Sequence, residues 1–133
     1  MITFNEDGTI RIEDLDLTLK RPTIGDVWHL EDMAADAVRG YLDETRKVAD
    51  KLGAYGPDDE LPQDIADEAR KFSRQGLLTM FMDWYVEATD RLGDKRLPKR
   101  VEEWPPDFLD PNLPVRIVEH WKQHPKASGA NQQ

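Results

Sequence analysis

Leu77-Leu78-Thr79-Met80-Phe81-Met82-Asp83-Trp84-Tyr85-Val86 is the stretch that decides how this chain folds. Eight of its ten residues are apolar or aromatic. At about 3.6 residues per turn they cover nearly the whole circumference of a helix. One neighbouring helix covers one stripe, so a helix that is apolar all round has to be enclosed on every side. Two readings follow, and the sequence leaves both open. In the first, the rest of the chain wraps this girdle as an ordinary core. In the second, part of it meets another protein, a role that Met80 and Met82 suit because methionine adapts to imperfect apolar partners.

Working outward, the helix that holds the girdle starts near Leu61-Pro62, since proline is favoured in a first turn. It stops at Gly93, giving a helix over 61–93. Asp58, Asp59, Glu60 and Asp64 gather at its positive end, and Lys95, Arg96, Lys99 and Arg100 at its negative end, as the helix dipole favours. Upstream, Thr23 is a capping residue with Asp26 in the first turn behind it. Val27, Leu30, Ala34, Ala37, Tyr41, Val48 and Leu52 recur at three- and four-residue steps, one stripe of an amphipathic helix over 23–53. Gly53 ends it where a left-handed cap is usual. Gly40 is a weak point inside it, costing up to ~1 kcal/mol relative to alanine. The connection from Ala54 to Glu60 is short and turn-like, so the two helices pair as an antiparallel hairpin.

The two ends differ from this middle. Ile2 and Phe4, Ile10 and Ile12, then Leu15, Leu17 and Leu19 alternate with period two, the mark of half-buried strands. Asp7-Gly8 is a hairpin tip, and Glu13-Asp14 offers a second turn. Residues 1–20 are therefore a small β-hairpin or meander that needs a helical partner to be stable. Residues 97–125 carry Pro98, Pro105, Pro106, Pro111, Pro114 and Pro125. Within them only Leu113 to about Trp121 is helical, capped by Asn112 or Leu113. Residues 126–133 are small and polar, a disordered tail. The fold class is mainly α: one domain over 1–125, built as a long antiparallel helical hairpin with a small N-terminal β element and a Pro-rich C-terminal segment.

Composition narrows the chemistry. The formal charge of −9 argues against nucleic acid as a partner, because phosphate binding needs clustered Lys and Arg. There is no cysteine, which removes disulfides, thiol catalysis and cysteine-ligated zinc. The N-terminus shows no signal peptide, and no apolar run approaches the ~20 residues that span a bilayer. His120 and His124 stand four apart, a two-point clamp in a helix, but Pro125 disfavours helical geometry at His124. Neither these nor His29 makes a metal motif. The carboxylate pairs Asp58/Asp59 and Glu102/Glu103 lie in charged surroundings, whereas acid–base catalysis needs carboxylates desolvated in a cleft. No nucleophile elbow, phosphate loop or dinucleotide turn is present. The expectation is a cytoplasmic binding protein with no enzymatic activity, no cofactor and no metal.

The C-terminal pattern carries a resemblance. Trp104-Pro105-Pro106-Asp107-Phe108-Leu109, Leu113-Pro114, Ile117-Val118-Glu119-His120-Trp121, Pro125 and Gly129 together resemble the end of tail assembly chaperones from long-tailed, siphovirus-type actinobacteriophages. The front is similar too, with short strands, Arg21-Pro22-Thr23-Ile24 and a long charged helix. Members of that family commonly continue from the tryptophan-proline segment into a less interrupted helix than these prolines allow. The resemblance implies a chaperone that binds the tape-measure protein, keeps it soluble in the host cytoplasm while the tail assembles, and is absent from the mature virion. It also implies self-association and association with a longer, frameshifted form. His124-Pro125-Lys126 is compatible with the slip heptamer C-CCA-AAG.

On that reading Leu78, Phe81, Met82 and Tyr85 are the candidate contact face, with Trp104 and Trp121 anchoring a C-terminal clasp. Two other readings of a small acidic binding protein stand beside it. A virion component such as a head–tail connector or tail-completion subunit would appear in purified particles. An acidic inhibitor of antitoxin type would bind a basic partner with strong salt dependence.

Overall fold

Strand order follows the alternation in the sequence. The computed structural model describes residues 1–70 and 74–124, at 74 and 75 for the backbone alone. Ile2–Phe4 (β1), Ile10–Ile12 (β2) and Leu17–Leu19 (β3) form an antiparallel meander in the order β1-β2-β3. The register pairs Ile2 with Ile12, Phe4 with Ile10, Ile10 with Leu19 and Ile12 with Leu17. Successive side chains of a strand point to opposite faces, so Ile10, Ile12, Leu17 and Leu19 share one face, and all four are buried. Arg11 and Thr18 share the other, where the Arg11 guanidinium donates to the Thr18 hydroxyl at 3.0 Å. Gly8 takes φ 91° at the first turn, as the Asp7-Gly8 pair demands. Glu13 to Leu15 make a 3-10 turn that ends on Asp16 at φ 49°. Lys95 and Arg11 both bond the Asp16 carboxylate and hold it down to about 2.

Ile24–Leu52 (α1) is the long first helix. Thr23 and Asp26 make a reciprocal capping box: the Thr23 hydroxyl accepts from the Asp26 amide, and the Asp26 carboxylate accepts from the Thr23 amide, each at 3.1 Å. The stripe read from the sequence faces inward, with Leu30, Ala34 and Val48 buried and Val27, Ala37, Tyr41 and Leu52 half-buried. At its end Gly53 sits at φ −62°, ψ −17°, so the expected left-handed cap is a right-handed turn instead. Its amide still reaches the carbonyl of Ala49 at 2.9 Å.

The expected helix over 61–93 is two helices, Gln63–Ala69 (α2) and Arg74–Leu92 (α3). Pro62 is the residue before the first turn rather than within it. The described part of α2 closes on Arg70, whose amide is shared among the carbonyls of Ala66, Asp67 and Glu68. Contacts with α1 step in opposite directions along the pair: Asp26 meets Arg91, His29 meets Glu87, Tyr41 packs on Phe81, and Lys51 meets Glu68. A buried hydrogen bond from the Trp84 indole to the Leu30 carbonyl, 2.8 Å, ties the middle of α3 to the N-terminal part of α1.

The C-terminal end of α3 docks along β3. Lys20 donates to the Leu92 carbonyl at 2.8 Å, and Asp94 donates to that of Thr18 at 3.0 Å. Thr18 donates in turn to the Asp94 carboxylate at 3.0 Å. This covers the outer edge of a strand that would otherwise be open to pairing. It also explains Gly93. A Cβ there would stand 2.7 Å from the Thr89 carbonyl and 2.8 Å from that of Lys95.

Past Leu97 the chain makes 3-10 turns at Val101–Glu103 and Pro106–Leu109, then Leu113–Gln123 (α4). Asn112 precedes α4 without a side-chain cap, and the Asp110 carboxylate accepts the Asn112 amide at 2.9 Å. Leu113, Pro114, Ile117, Val118 and Trp121 are buried, completing one core shared by the sheet, α1, α3 and α4. No helix among the described residues is long and apolar enough to cross a membrane. The expected disordered tail, 126–133, and Pro125 with Lys126 of the slip sequence lie outside the described residues.

Candidate partner-binding groove

The girdle of α3 is enclosed. Leu78 is 6% exposed, Phe81 1%, Trp84 1% and Tyr85 3%, while Met80 and Met82 are half-buried. The tryptophans expected to anchor a clasp are buried as well, Trp104 at 8% and Trp121 at 0%. Of the six candidate residues only Met82 keeps appreciable exposure, so in this structure the set is core and not a free contact face. The physical reason is the one the girdle itself imposes, since an all-round apolar helix needs cover on every side. The α1 stripe, the sheet and the Pro-rich segment supply it.

Ring contacts show how that cover is built. Tyr85 stacks on Phe108 with centroids 4.0 Å apart and meets Trp104 edge-on at 6.3 Å. Trp84 lies over Trp121 at 6.4 Å. The Trp104 indole donates to the Pro98 carbonyl at 2.9 Å, which satisfies the one polar atom this ring would bury. Burial pushes the Tyr85 phenol well above its ordinary value, with the nearby Asp110 and Asp107 carboxylates adding to it. The ring therefore stays neutral. The Tyr85 hydroxyl and the Trp121 indole N–H find no hydrogen-bond partner among the described residues.

Where the Pro-rich segment crosses α3 it leaves an apolar groove of about 400 Å³, lined by Leu78, Val101, Trp104, Pro105, Pro106 and Leu109 with Glu102 at its rim. That volume is within the ~300–1,000 Å³ of ligand-binding clefts. Pro105 at φ −65° leads into the second of the two 3-10 turns that form one wall, and Pro106 opens that turn. Tyr85 and Phe108 back Trp104 from the core side. Glu102 is exposed and only loosely paired with Arg100 at 3.4 Å. The groove thus offers an apolar floor with a carboxylate on its edge.

Two of the candidate residues, Leu78 and Trp104, meet in this groove, whereas Trp121 lies against Trp84 and Phe81 against Tyr41. Val101, Pro105, Pro106 and Leu109 were not singled out as contact residues from the sequence. The signal that bears on them is the density of Pro and Trp between Pro98 and Leu109, which marks a rigid wall in place of a helix. The other polar candidates are accounted for by local bonds. His120 meets the Asn5 carbonyl at 2.7 Å, His124 the His120 carbonyl at 3.1 Å, and His29 the Glu87 carboxylate at 3.0 Å. Among the described residues no group of three or more His, Asp or Glu is placed to hold a metal ion. Asp58, Asp59, Glu102 and Glu103 are all exposed.

Set against protein-family models, curated proteins and solved structures, the chain matches none of them.

Proposed function

We propose that this protein is a non-enzymatic chaperone that holds apolar side chains of a helical client, and that the client is the tape-measure protein of a siphovirus-type phage tail. The observation that carries the reading is the groove at Leu78, Trp104 and Leu109, an apolar site on a strongly acidic body. A tape measure exposes long apolar helical seams during synthesis, and a helix lays such anchors into an apolar groove. The acidic remainder keeps the complex soluble. The Trp-Pro and His-Trp pattern quoted above supports the phage assignment.

On this reading the antiparallel hairpin is the rigid frame, and the Pro-rich segment with its short helix is the wall that shapes the site. The protein acts in the host cytoplasm, leaves before the virion matures, and works beside its own frameshifted longer form. The test is co-expression with the tape-measure protein encoded next to it. Wild type keeps that client in the soluble fraction. Leu109→Glu and Pro106→Glu, which place charge in the groove at half-buried and exposed positions, leave the client insoluble while the chaperone itself stays folded. A client whose solubility does not change with wild type present overturns the proposal.

A further inference from the structure

Away from the groove, α1 carries a second apolar stripe that the fold leaves uncovered. Ile24 is 49% exposed, Trp28 67% and Leu42 53%, with Ala35 and Ala49 exposed on the same side. Trp28, Ala35, Leu42 and Ala49 are spaced by seven residues, the repeat that keeps one seam facing a partner helix. The buried stripe runs through Leu30, Ala34, Tyr41 and Val48. Ala34 and Ala35 are consecutive, so the two stripes stand about 100° apart around the helix. A tryptophan two-thirds exposed near the start of a long helix is a costly feature for a surface that meets only water.

The sequence around Ala35 says what covers it. Trp28, Asp32, Ala35, Arg39 and Leu42 sit at −7, −3, 0, +4 and +7 relative to Ala35. Turned end for end, the pattern reads apolar, base, small, acid, apolar, which is its own complement. We propose that a second copy of this chain covers the stripe, with the two α1 helices antiparallel about a two-fold axis at Ala35. Trp28 then meets Leu42 of the second copy, and the two alanines let the helices approach closely. Asp32 meets Arg39 of the second copy, twice by symmetry. Among the described residues Arg39 pairs with Asp36, an exposed pair at 2.8 Å. Such a pair is worth little and exchanges readily. The charge pairs set register and direction more than affinity.

The stripe from Ile24 to Leu42 is about 27 Å long. A single helix face of that length is a small contact, so the association is followed over a wide concentration range. The inference is independent of the groove and of the client assigned to it.

Sedimentation equilibrium of the full chain from about 1 to 300 µM is the test. The expected result is a monomer–dimer equilibrium that Trp28→Glu and, separately, Leu42→Glu abolish, with helical circular dichroism unchanged. Asp32→Arg or Arg39→Asp alone weakens the dimer at least about fivefold, and the double variant, which swaps the two charges, restores it. A monomer at every concentration overturns the proposal, as does a dimer indifferent to Trp28→Glu or a double variant no better than the singles. A monomer whose Trp28→Glu variant loses the tape-measure complex assigns the stripe to the client and overturns self-pairing equally.

Discussion

Replacing Phe81 with alanine removes a ring that is 1% exposed and packs on Tyr41 with centroids 6.1 Å apart. Burying a phenylalanine contributes about 1.5–3 kcal/mol by transfer from water. A residual cavity of roughly 50–100 Å³ adds about 1–2.4 kcal/mol at ~24 cal/mol per Å³. The sum is about 3–5 kcal/mol, a large share of the ~5–15 kcal/mol that holds a domain together. With a urea slope near ~2 kcal/mol per molar, the unfolding midpoint falls by about 1.5–2.5 M. Val86→Ala on the same helix is the control: Val86 is 40% exposed, and its truncation stays within about 0.5 kcal/mol. Urea titrations followed by circular dichroism and by tryptophan fluorescence report both variants. A Phe81→Ala protein within about 1 kcal/mol of wild type would mean that the girdle is not the core and that its enclosure in α1, α3 and the Pro-rich segment is misread.

Three further outcomes follow from particular contacts. Gly93→Ala forces a Cβ against the carbonyls of Thr89 and Lys95; it should cost about 1–3 kcal/mol, read as a lower thermal midpoint, because backbone and not a flexible side chain must move. Gly40→Ala should stabilise by about 0.5–1 kcal/mol, since Gly40 is mid-helix and a Cβ there meets nothing within 4 Å; a destabilised variant would refute this. Asp26 gives a pH signature. Burial raises its carboxyl, but the Thr23 amide, the Arg91 guanidinium and the Thr23 hydroxyl together outweigh that and hold it below the ordinary value. A lowered folded value means the contribution is complete above the unfolded pKa of about 3.9 and is lost as pH falls through the folded one. Asp26→Asn should therefore trail wild type by about 1 kcal/mol at pH 6 and draw level towards pH 2. A gap that widens on acidification would contradict the sign.

Much of the fold was legible because its signals are local. The three strands announced themselves by alternation, and the buried face of α1 by seven residues at helical steps. Both survive in the structure because the faces they define are the ones that meet the core. The break between α2 and α3 was not legible. The stretch Asp67-Glu68-Ala69-Arg70 carries no glycine or proline, and its residues favour helix, so no local punctuation marks a stop. The hand of Gly53 was missed for a related reason: glycine permits either hand. The girdle had an ambiguous signal by nature. Apolar residues all round a helix state that it is covered, not by what, and the answer came from Trp104, Phe108 and Trp121, distant in sequence. The groove depends on how the proline turns meet Leu78, a tertiary relation that spacing does not encode.

The central claim is that an acidic helical body with an apolar groove holds a helical client, and one measurement reaches it most directly. The tagged protein is co-expressed with the tape-measure protein, and the proposed client is quantified in the soluble fraction and in the affinity eluate. The account predicts a soluble complex with wild type and its loss with Pro106→Glu, an exposed position whose variant keeps a thermal midpoint near that of wild type. A client equally soluble with wild type, with Pro106→Glu and with this protein absent would contradict it.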